Sequence, residues 1–448
     1  MSVDLQAQLR AALADVGDAA LCVAYSGGAD STALLHALAQ LPEARARGLR
    51  ALHVDHCLQA QSHAWAGHCQ AFCATLGVPL SVIVVRVQLG RGDGLEAAAR
   101  DARYAAMATE LHLGECLVLA QHRDDQAETV LLKLLRGAGP EGLGGMRPLR
   151  AFGPGRLWRP LLACSRAALR DYARAARLPT IEDPSNDDTQ LARNFLRHQV
   201  MPRLLQQWPH AVDAIVHSAV LNRRAADALQ ARWLPELERL RDPANDSLDA
   251  AGWLALDPAL RHPLLDHWLH AAGLRAPTTA QRQQIERQCH AQPGRVPCIR
   301  WRHTELRIWK GRLWAMPPQE APPADWTIAW QGQEVTLPGG GSFGLQPPGA
   351  RLPAPVTLRL RQGGERLKPM GAPYTRDVRD LFQQDEVPPW QRHTCPLVYD
   401  AGELLAVADR WASARGTALF AAAGARPSWR PCPAPARPSP IDSAPAVR

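Results

Sequence analysis

Lysine is almost missing from this 448-residue chain: Lys133, Lys310 and Lys368 are the only examples, so nearly all of the positive charge is arginine. Arginine suits bidentate contact with phosphate. A genome rich in Arg, Ala and Pro codons leaves the same mark, however, so the bias alone decides nothing. The ten cysteines include no CxxC pair and no regular framework, which leaves no iron–sulfur CxxC set. Cys69 and Cys73, one helical turn apart with His68 nearby, read as buried thiols rather than zinc ligands. No apolar run approaches the roughly 18 residues of a membrane span. Met1-Ser2-Val3-Asp4 also lacks the basic-then-apolar pattern of a leader. The expectation is a cytoplasmic protein in a reducing compartment, with no membrane partner. What is present is an apolar share of 46%, enough for ordinary cores, and a length that suggests two or three domains. The net charge of +8 is compatible with a nucleic-acid partner without establishing one.

The most informative segment is Ser26-Gly27-Gly28-Ala29-Asp30-Ser31, between an apolar strand (Leu21 to Tyr25) and a helix with Leu34, Leu35 and Leu38 at helical spacing. Adjacent glycines let the backbone turn sharply and approach an anion with no Cβ in the way. The free N–H groups of the following helix then point at that anion, and the helix dipole favours negative charge there. Ser26 and Ser31 can add hydroxyl donors, whereas Asp30 only accepts and needs a donor or a cation. The loop therefore suits a phosphate chain with Mg²⁺. It has no Gly-Lys-Ser/Thr ending, so it is not a Walker loop. It resembles instead the SGGxDS signature of the PP-loop ATP pyrophosphatases, which cleave ATP between its α- and β-phosphates.

From Leu21 to about Arg136 strands and helices alternate. Strands are expected at 50–54, 80–87 and 116–120, and helices near 62–76, 95–113 and 124–136. This predicts an α/β fold: a parallel-sheet nucleotide-binding domain with its ligand crevice at the carboxyl ends of the strands. The expected domains are a PP-loop ATP-binding catalytic domain at 1–208 and a mainly helical middle domain at 209–320. A linker with short strands at 321–355, a small α+β domain at 356–425 and a disordered Pro-, Ala- and Ser-rich tail at 426–448 complete the chain.

Several segments add chemistry. His53-Val54-Asp55-His56 ends the second strand, so Asp55 and His56 are candidates for the adenosine half of a nucleotide, or simply a polar exit from the sheet. Glu96, Arg100, Arg103 and Tyr104 share a helix face, where Glu96 and Arg100 form an ordinary surface pair or the arginines reach a polyanion. Gln121-His122-Arg123-Asp124-Asp125-Gln126-Ala127-Glu128 follows the strand at 117–120. Asp125 and Glu128 share one face of a helix start there. Such acids favour the helix dipole, but this cluster exceeds what capping needs and calls for a cation, either Mg²⁺ or an amine. The glycines between Gly137 and Gly145 suggest a mobile loop over the site or a plain connection. Glu182-Asp183-Pro184-Ser185-Asn186 reads as an acidic turn leading into the basic helix of Arg193, Asn194 and Arg197.

Together these motifs resemble the tRNA(Ile)-lysidine synthetases, bacterial members of the PP-loop superfamily. The likeness covers SGGADS, HVDH, HRDDQAET, LLRGAG with GLGGM, the RPLL step and EDPSN…RNFLR, and continues through LRLR, GGER and DVRDLF to PPW and PLVY. Cys57 and Gln59 stand where the family usually has Gly and often Arg. The resemblance implies that ATP adenylates the C2 oxygen of the wobble cytidine in a CAU anticodon. Free L-lysine then displaces AMP, and AUG reading becomes AUA reading. It implies ATP contacts at Ser26, Gly27, Gly28, Ala29, Asp30 and Ser31, with Asp30 linked to Mg²⁺ and Asp55 and His56 near adenosine. Asp125 and Glu128 would hold the lysine ammonium. Arg193, Arg100 and Arg103 would meet phosphate or tRNA, and Asn194 the flipped base; Asp30, Asp125, Glu128 and Arg193 would form the catalytic set. A homodimer is a further expectation. Three rivals fit less well. A PP-loop tRNA thiolase needs sulfur-handling cysteines. A glutamine-dependent synthetase needs an ammonia source, and Ser2 rather than a cysteine follows Met1. A non-catalytic RNA-binding protein has no need of intact Asp30, Asp125 and Glu128.

Overall fold

A computed structural model describes residues 4–55, 62–85, 95–290, 296–319, 322–323 and 325–431. The chain divides into two compact units, one running to Ala231 and the other starting at Arg232.

In the first unit α1 (Leu5–Ala12), β1 (Leu21–Ala24), α2 (Ala29–Ala39), α3 (Pro42–Ala46) and β2 (Leu49–Asp55) lead to α4 (Ser62–Leu76) and β3 (Leu80–Val84). The chain then returns through α5 (Leu95–Glu110) to β4 (Cys116–Val118) and α6 (Arg123–Leu135). The sheet order is β3-β2-β1-β4, all parallel. Successive side chains of a strand point to opposite faces. Leu21 and Val23 accordingly join the core that contains Leu9, Leu34, Leu38 and Trp158, while Cys22 packs on the other face with Met107, Leu111 and Leu117. The chain steps outward from β1 to β3 and comes back to β4 on the far side of β1. The loops after β1 and β4 thus leave the carboxyl edge side by side, at the point where a doubly wound sheet opens a crevice.

Beyond α6 lie α7 (Pro140–Leu143), the hairpin of β5 (Leu149–Phe152) and β6 (Gly155–Trp158), and α8 (Arg166–Ala175). Strand β6 extends the sheet in parallel beside β4, and β5 closes the edge antiparallel. The hairpin was not anticipated from the sequence. The glycine-rich segment also differs from the expected mobile loop. The Gln126 side chain accepts from Met146 N at 2.7 Å and donates to Met146 O at 3.0 Å, while Arg223 donates to Met146 O at 2.8 Å. Gly145 has φ +67°, and a Cβ there would lie 2.8 Å from the Gln126 amide. Its glycines serve close packing. A short helix α9 (Ala192–Phe195), a π-turn (Leu196–Val200), α10 (Met201–Gln207) and α11 (Ala211–Leu240) follow; α11 runs across the division between units.

In the second unit the chain forms β7 (Leu248–Asp249), α12 (Ala250–Ala255), α13 (Pro258–Ala271), α14 (Thr279–Cys289), β8 (Cys298–Trp301), β9 (Thr304–Trp309) and β10 (Arg312–Met316). Caps at Asp249, Asp257 and Thr278 start the three helices. The expected mainly helical stretch therefore ends in an antiparallel sheet of order β7-β10-β9-β8. Thr304, Leu306 and Ile308 are buried on one face of β9, and on the other Glu305 is buried too, paired with Arg300 and Arg307. Next come β11 (Thr327–Trp330), β12 (Val335–Thr336), β13 (Gly341–Gln346), β14 (Val356–Leu360), β15 (Arg366–Leu367) and β16 (Arg376–Asp377). The chain continues through α15 (Val378–Gln384), α16 (Pro389–Arg392), β17 (Pro396–Asp400), β18 (Glu403–Val407), β19 (Trp411–Ala412), α17 (Ala414–Ala422) and β20 (Arg426–Pro431). Two expectations change here. The presumed linker supplies Trp330, Phe343 and Leu345 to the same core as Leu358, Phe382 and Val407. Residues 426–431, expected in the tail, pair along β13 and set the buried Trp429 opposite Phe343.

Candidate active site

The loop after β1 has the form expected of an anion cup. Gly27 takes φ +82°, which residues with a side chain rarely adopt, and a Cβ on it would fall 2.5 Å from Ile181 Cδ1, whose side chain would have to shift. Its carbonyl accepts from Ile181 N at 2.9 Å and from Thr32 Oγ1 at 3.1 Å, pinning the loop from behind. Gly28 is the N-cap of α2 with no side-chain cap, which leaves N–H groups of the first turn for a ligand. The Ser26 and Ser31 hydroxyls lie 3.1 Å apart, and Ser26 Oγ accepts from Gly28 N at 3.4 Å. Ala29 and Asp30 open the helix.

The second wall is the start of α6. His122 is its N-cap: Nδ1 accepts from Asp125 N at 3.3 Å, while Asp125 Oδ2 accepts from His122 N at 3.1 Å. Nε2 faces Asp30 Oδ2 at 3.5 Å and Asp125 Oδ2 at 3.4 Å. Arg166 Nε lies 3.4 Å from the same Nε2. His122 is fully buried. It physically joins the cup acid Asp30 to the α6 acid Asp125.

The acids expected to call for an external cation are matched by cations of the chain itself. Glu128 meets Arg193 Nε and Arg197 Nε, each at 2.8 Å, and Arg166 Nη2 at 3.3 Å. Asp125 Oδ1 lies 3.1 Å from both Arg193 and Arg197. Burial alone would raise the Glu128 pKa, but the hydrogen bonds and charge of Arg197 and Arg193 outweigh it and hold it below the ordinary value. Asp30 follows the same logic: burial raises it, and the hydrogen bond and charge of His122, with the charges of Arg166 and Arg170, bring it below normal. Asp124 turns away, accepting from Arg166 N at 2.8 Å and so fastening the start of α8.

The other expected site residues separate into groups. Asp55 is buried at the end of β2; His56 lies outside the described residues. Asn194 is buried, and its amide nitrogen donates to Ser185 O at 2.9 Å and Asp188 O at 3.0 Å. Its donors therefore hold the acidic turn instead of facing a base. Arg100 stacks over Tyr104 at 5.4 Å on α5, and Arg103 is exposed there; neither takes part in the ion pairs of Asp125 or Glu128. Sequence reasoning did not assign roles to His122, Arg166, Arg170 and Arg197. Arg197 was detectable, one helical turn after Arg193, and His122 immediately follows Gln121 at the strand exit. Nothing local marks Arg166, which reaches the cluster only through the packing of α8. Among the described residues no group of three or more His, Cys, Asp or Glu is arranged to hold a metal. Asp30 Oδ1 is nonetheless buried without a hydrogen-bond partner. One carboxylate oxygen beside a phosphate cup fits Mg²⁺, which is usually held by one or two carboxylates, substrate phosphates and water.

The matched family profiles are a PP-loop domain at residues 1–204, a TilS substrate binding domain at 248–314 and a TilS substrate C-terminal domain at 356–429. Among similar curated proteins, the tRNA(Ile)-lysidine synthase of Xanthomonas campestris pv. campestris (strain 8004) is 45% identical over 416 residues, 92% of this chain and 95% of that one. That of Xylella fastidiosa (strain Temecula1) is 44% identical over 86% of this chain and 90% of its own. That of Pseudomonas aeruginosa is 42% identical over 91% and 94%. A solved U34-tRNA thiolase from Methanococcus maripaludis is 16% identical, covers 48% of this chain and 76% of that one, and has a TM-score of 0.39, too low to carry an argument. With such identity sustained over almost the whole length, the chain belongs to the tRNA(Ile)-lysidine synthase family.

Proposed function

We propose that the chain ligates L-lysine to carbon 2 of the wobble cytidine in the CAU anticodon of tRNA(Ile), through an adenylated tRNA, releasing diphosphate and AMP. The observation that carries this reading is the meeting of Asp30 and Asp125 at one buried imidazole, His122. The phosphate cup and the acid–arginine cluster thereby share one crevice.

In the first step the C2 oxygen of cytidine attacks the α-phosphorus of ATP; an O–P bond forms and the bond to the departing diphosphate breaks. Gly27, Gly28 and the first-turn N–H groups of α2 receive the phosphates, with the Ser26 and Ser31 hydroxyls beside them. Asp55 and His56 are assigned to the adenosine. Mg²⁺, when bound at Asp30, supplies charge for the diphosphate leaving group. In the second step the lysine Nε attacks C2 and the C–O bond breaks, expelling AMP. The attacking amine must first lose a proton, because its pKa in water is about 10.4. Asp125 and Glu128 are the carboxylates nearest this chemistry, and one of them accepts that proton. They become available to the ammonium when Arg193 turns from Glu128 to a phosphate, an exchange of partners that conserves charge. Arg100 and Arg103 are assigned to the RNA backbone. A cytoplasmic location follows from the substrates, and none of the described helices is long and apolar enough to cross a membrane.

The test supplies ATP, radiolabelled lysine and either purified tRNA(Ile) bearing CAU or tRNA(Met). Label in tRNA(Ile) alone, with equimolar AMP, is the expected result. Label in neither RNA, or ATP turnover without transfer, refutes the reading.

A further inference from the structure

Outside the cluster, the segment from Arg193 to His210 carries a second face that the reaction does not use. Arg193 and Arg197 point inward to Glu128, whereas Phe195 and Trp208 are 48% and 60% exposed. The π-turn at Leu196–Val200 lies between them, and Arg203 is exposed on α10. Trp208 and Leu204 line an apolar groove of about 540 Å³, whose opposite side is Leu131 of α6. Leu204 also lines the adjoining hollow with Phe195 and Arg203. Residues 189–212 contain no Asp or Glu, and Asp213 just beyond them is paired with Arg123 at 2.8 Å. Lys133 and Arg136, farther along α6 and turned away from Leu131, are also exposed. Neither they nor Arg203 have an ion-pair partner among the described residues.

Flat aromatic side chains left open to solvent beside unpaired cations match an unpaired polynucleotide, whose bases stack on the rings while its phosphates meet the cations. We infer that the strip from Phe195 to Trp208, with the exposed Arg203 between them, is the platform for an unpaired stretch of the substrate RNA. Phe195 stacks a base next to the reacting nucleotide and Trp208 one farther along. This rests on the reading that RNA is the substrate, and it adds where the unpaired strand runs. A second protein copy is the competing occupant of such an apolar groove. The unneutralised Arg203, on a segment without acids, favours the polyanion.

The experiment measures equilibrium binding of transcribed tRNA(Ile) bearing CAU to the full chain by filter retention, across a salt series. Wild-type lysine transfer is run alongside. Trp208→Ala is expected to weaken binding about 5- to 150-fold, the range for loss of one base stack, and Trp208→Phe to restore most of it. Arg203→Ala should lower the slope of log affinity against log salt by roughly one, for one phosphate contact. Because these positions are exposed, unchanged thermal melting should accompany both effects. The platform is overturned if Trp208→Ala and Arg203→Ala bind RNA within twofold of wild type while wild type transfers lysine. It is equally overturned if Trp208→Ala only dissociates a dimer in sedimentation with RNA affinity intact. Absence of lysine transfer by wild type would instead bring down the functional reading.

Discussion

At the scale of single residues, the candidate site is governed by what each atom can and cannot accept. Gly27 is disfavoured for replacement by its φ of +82°, and a Cβ there would also push aside the tip of Ile181, 2.5 Å away. Gly27→Ala is expected to cost roughly 1–3 kcal/mol of strain and to weaken ATP binding more than it lowers the melting temperature. Calorimetric titration beside a thermal melt would check this, and unchanged nucleotide affinity would contradict it. Glu128 gives a pH prediction. Burial pushes its pKa up, but Arg197 and Arg193 bring it below normal, so the folded state binds the proton less readily than the unfolded state. Its stabilisation is present above the unfolded pKa of about 4.3 and disappears as pH falls through the lower native value. Glu128→Gln should flatten that acid limb in melts between pH 7 and pH 3. It should also reduce stability at neutral pH by about 1–3 kcal/mol, because the half-buried Arg193 and Arg197 lose one of their two carboxylate partners and keep Asp125. Parallel acid limbs in the two proteins would show that the pair does not act this way.

At the scale of elements, strand and helix positions were largely legible, since they follow from local apolar periodicity. The helix expected near 62–76 occupies Ser62–Leu76, and the strand expected at 50–54 occupies Leu49–Asp55. The glycine-rich segment was misread because flexible residues and tightly packed residues share a composition; only Gln126, distant in sequence, distinguishes them. Gln126→Ala removes both bonds to the Met146 backbone and leaves that peptide's polar groups without this partner. A loss of about 1–3 kcal/mol and faster amide exchange at Met146 are expected. Retained exchange protection would show that Arg223 holds the segment alone. Likewise β20 was hidden within a Pro- and Ala-rich end, where one tryptophan, Trp429, opposite Phe343 decides the pairing.

At the scale of the whole molecule, charge supplies the broadest expectation. With a net charge of +8 and its cations almost all arginine, the protein should bind tRNA with steep salt dependence. If six or more phosphates are neutralised, the loss is about a thousandfold or more between 50 and 200 mM salt. A binding isotherm unchanged over that range would exclude a phosphate-led interface. The family, the phosphate cup and the acids of α6 were readable from sequence, because each is a local run whose chemistry depends on neighbours in the chain. The pairing of those acids with Arg166, Arg193 and Arg197 was not, and neither was the placing of His122 between Asp30 and Asp125. Those depend on the strand order β3-β2-β1-β4, which brings two loops nearly a hundred residues apart to one edge. Sequence alone determined which groups could react; tertiary structure decided which of them meet, because contact between distant segments is set by the packing of the sheet and not by any local pattern.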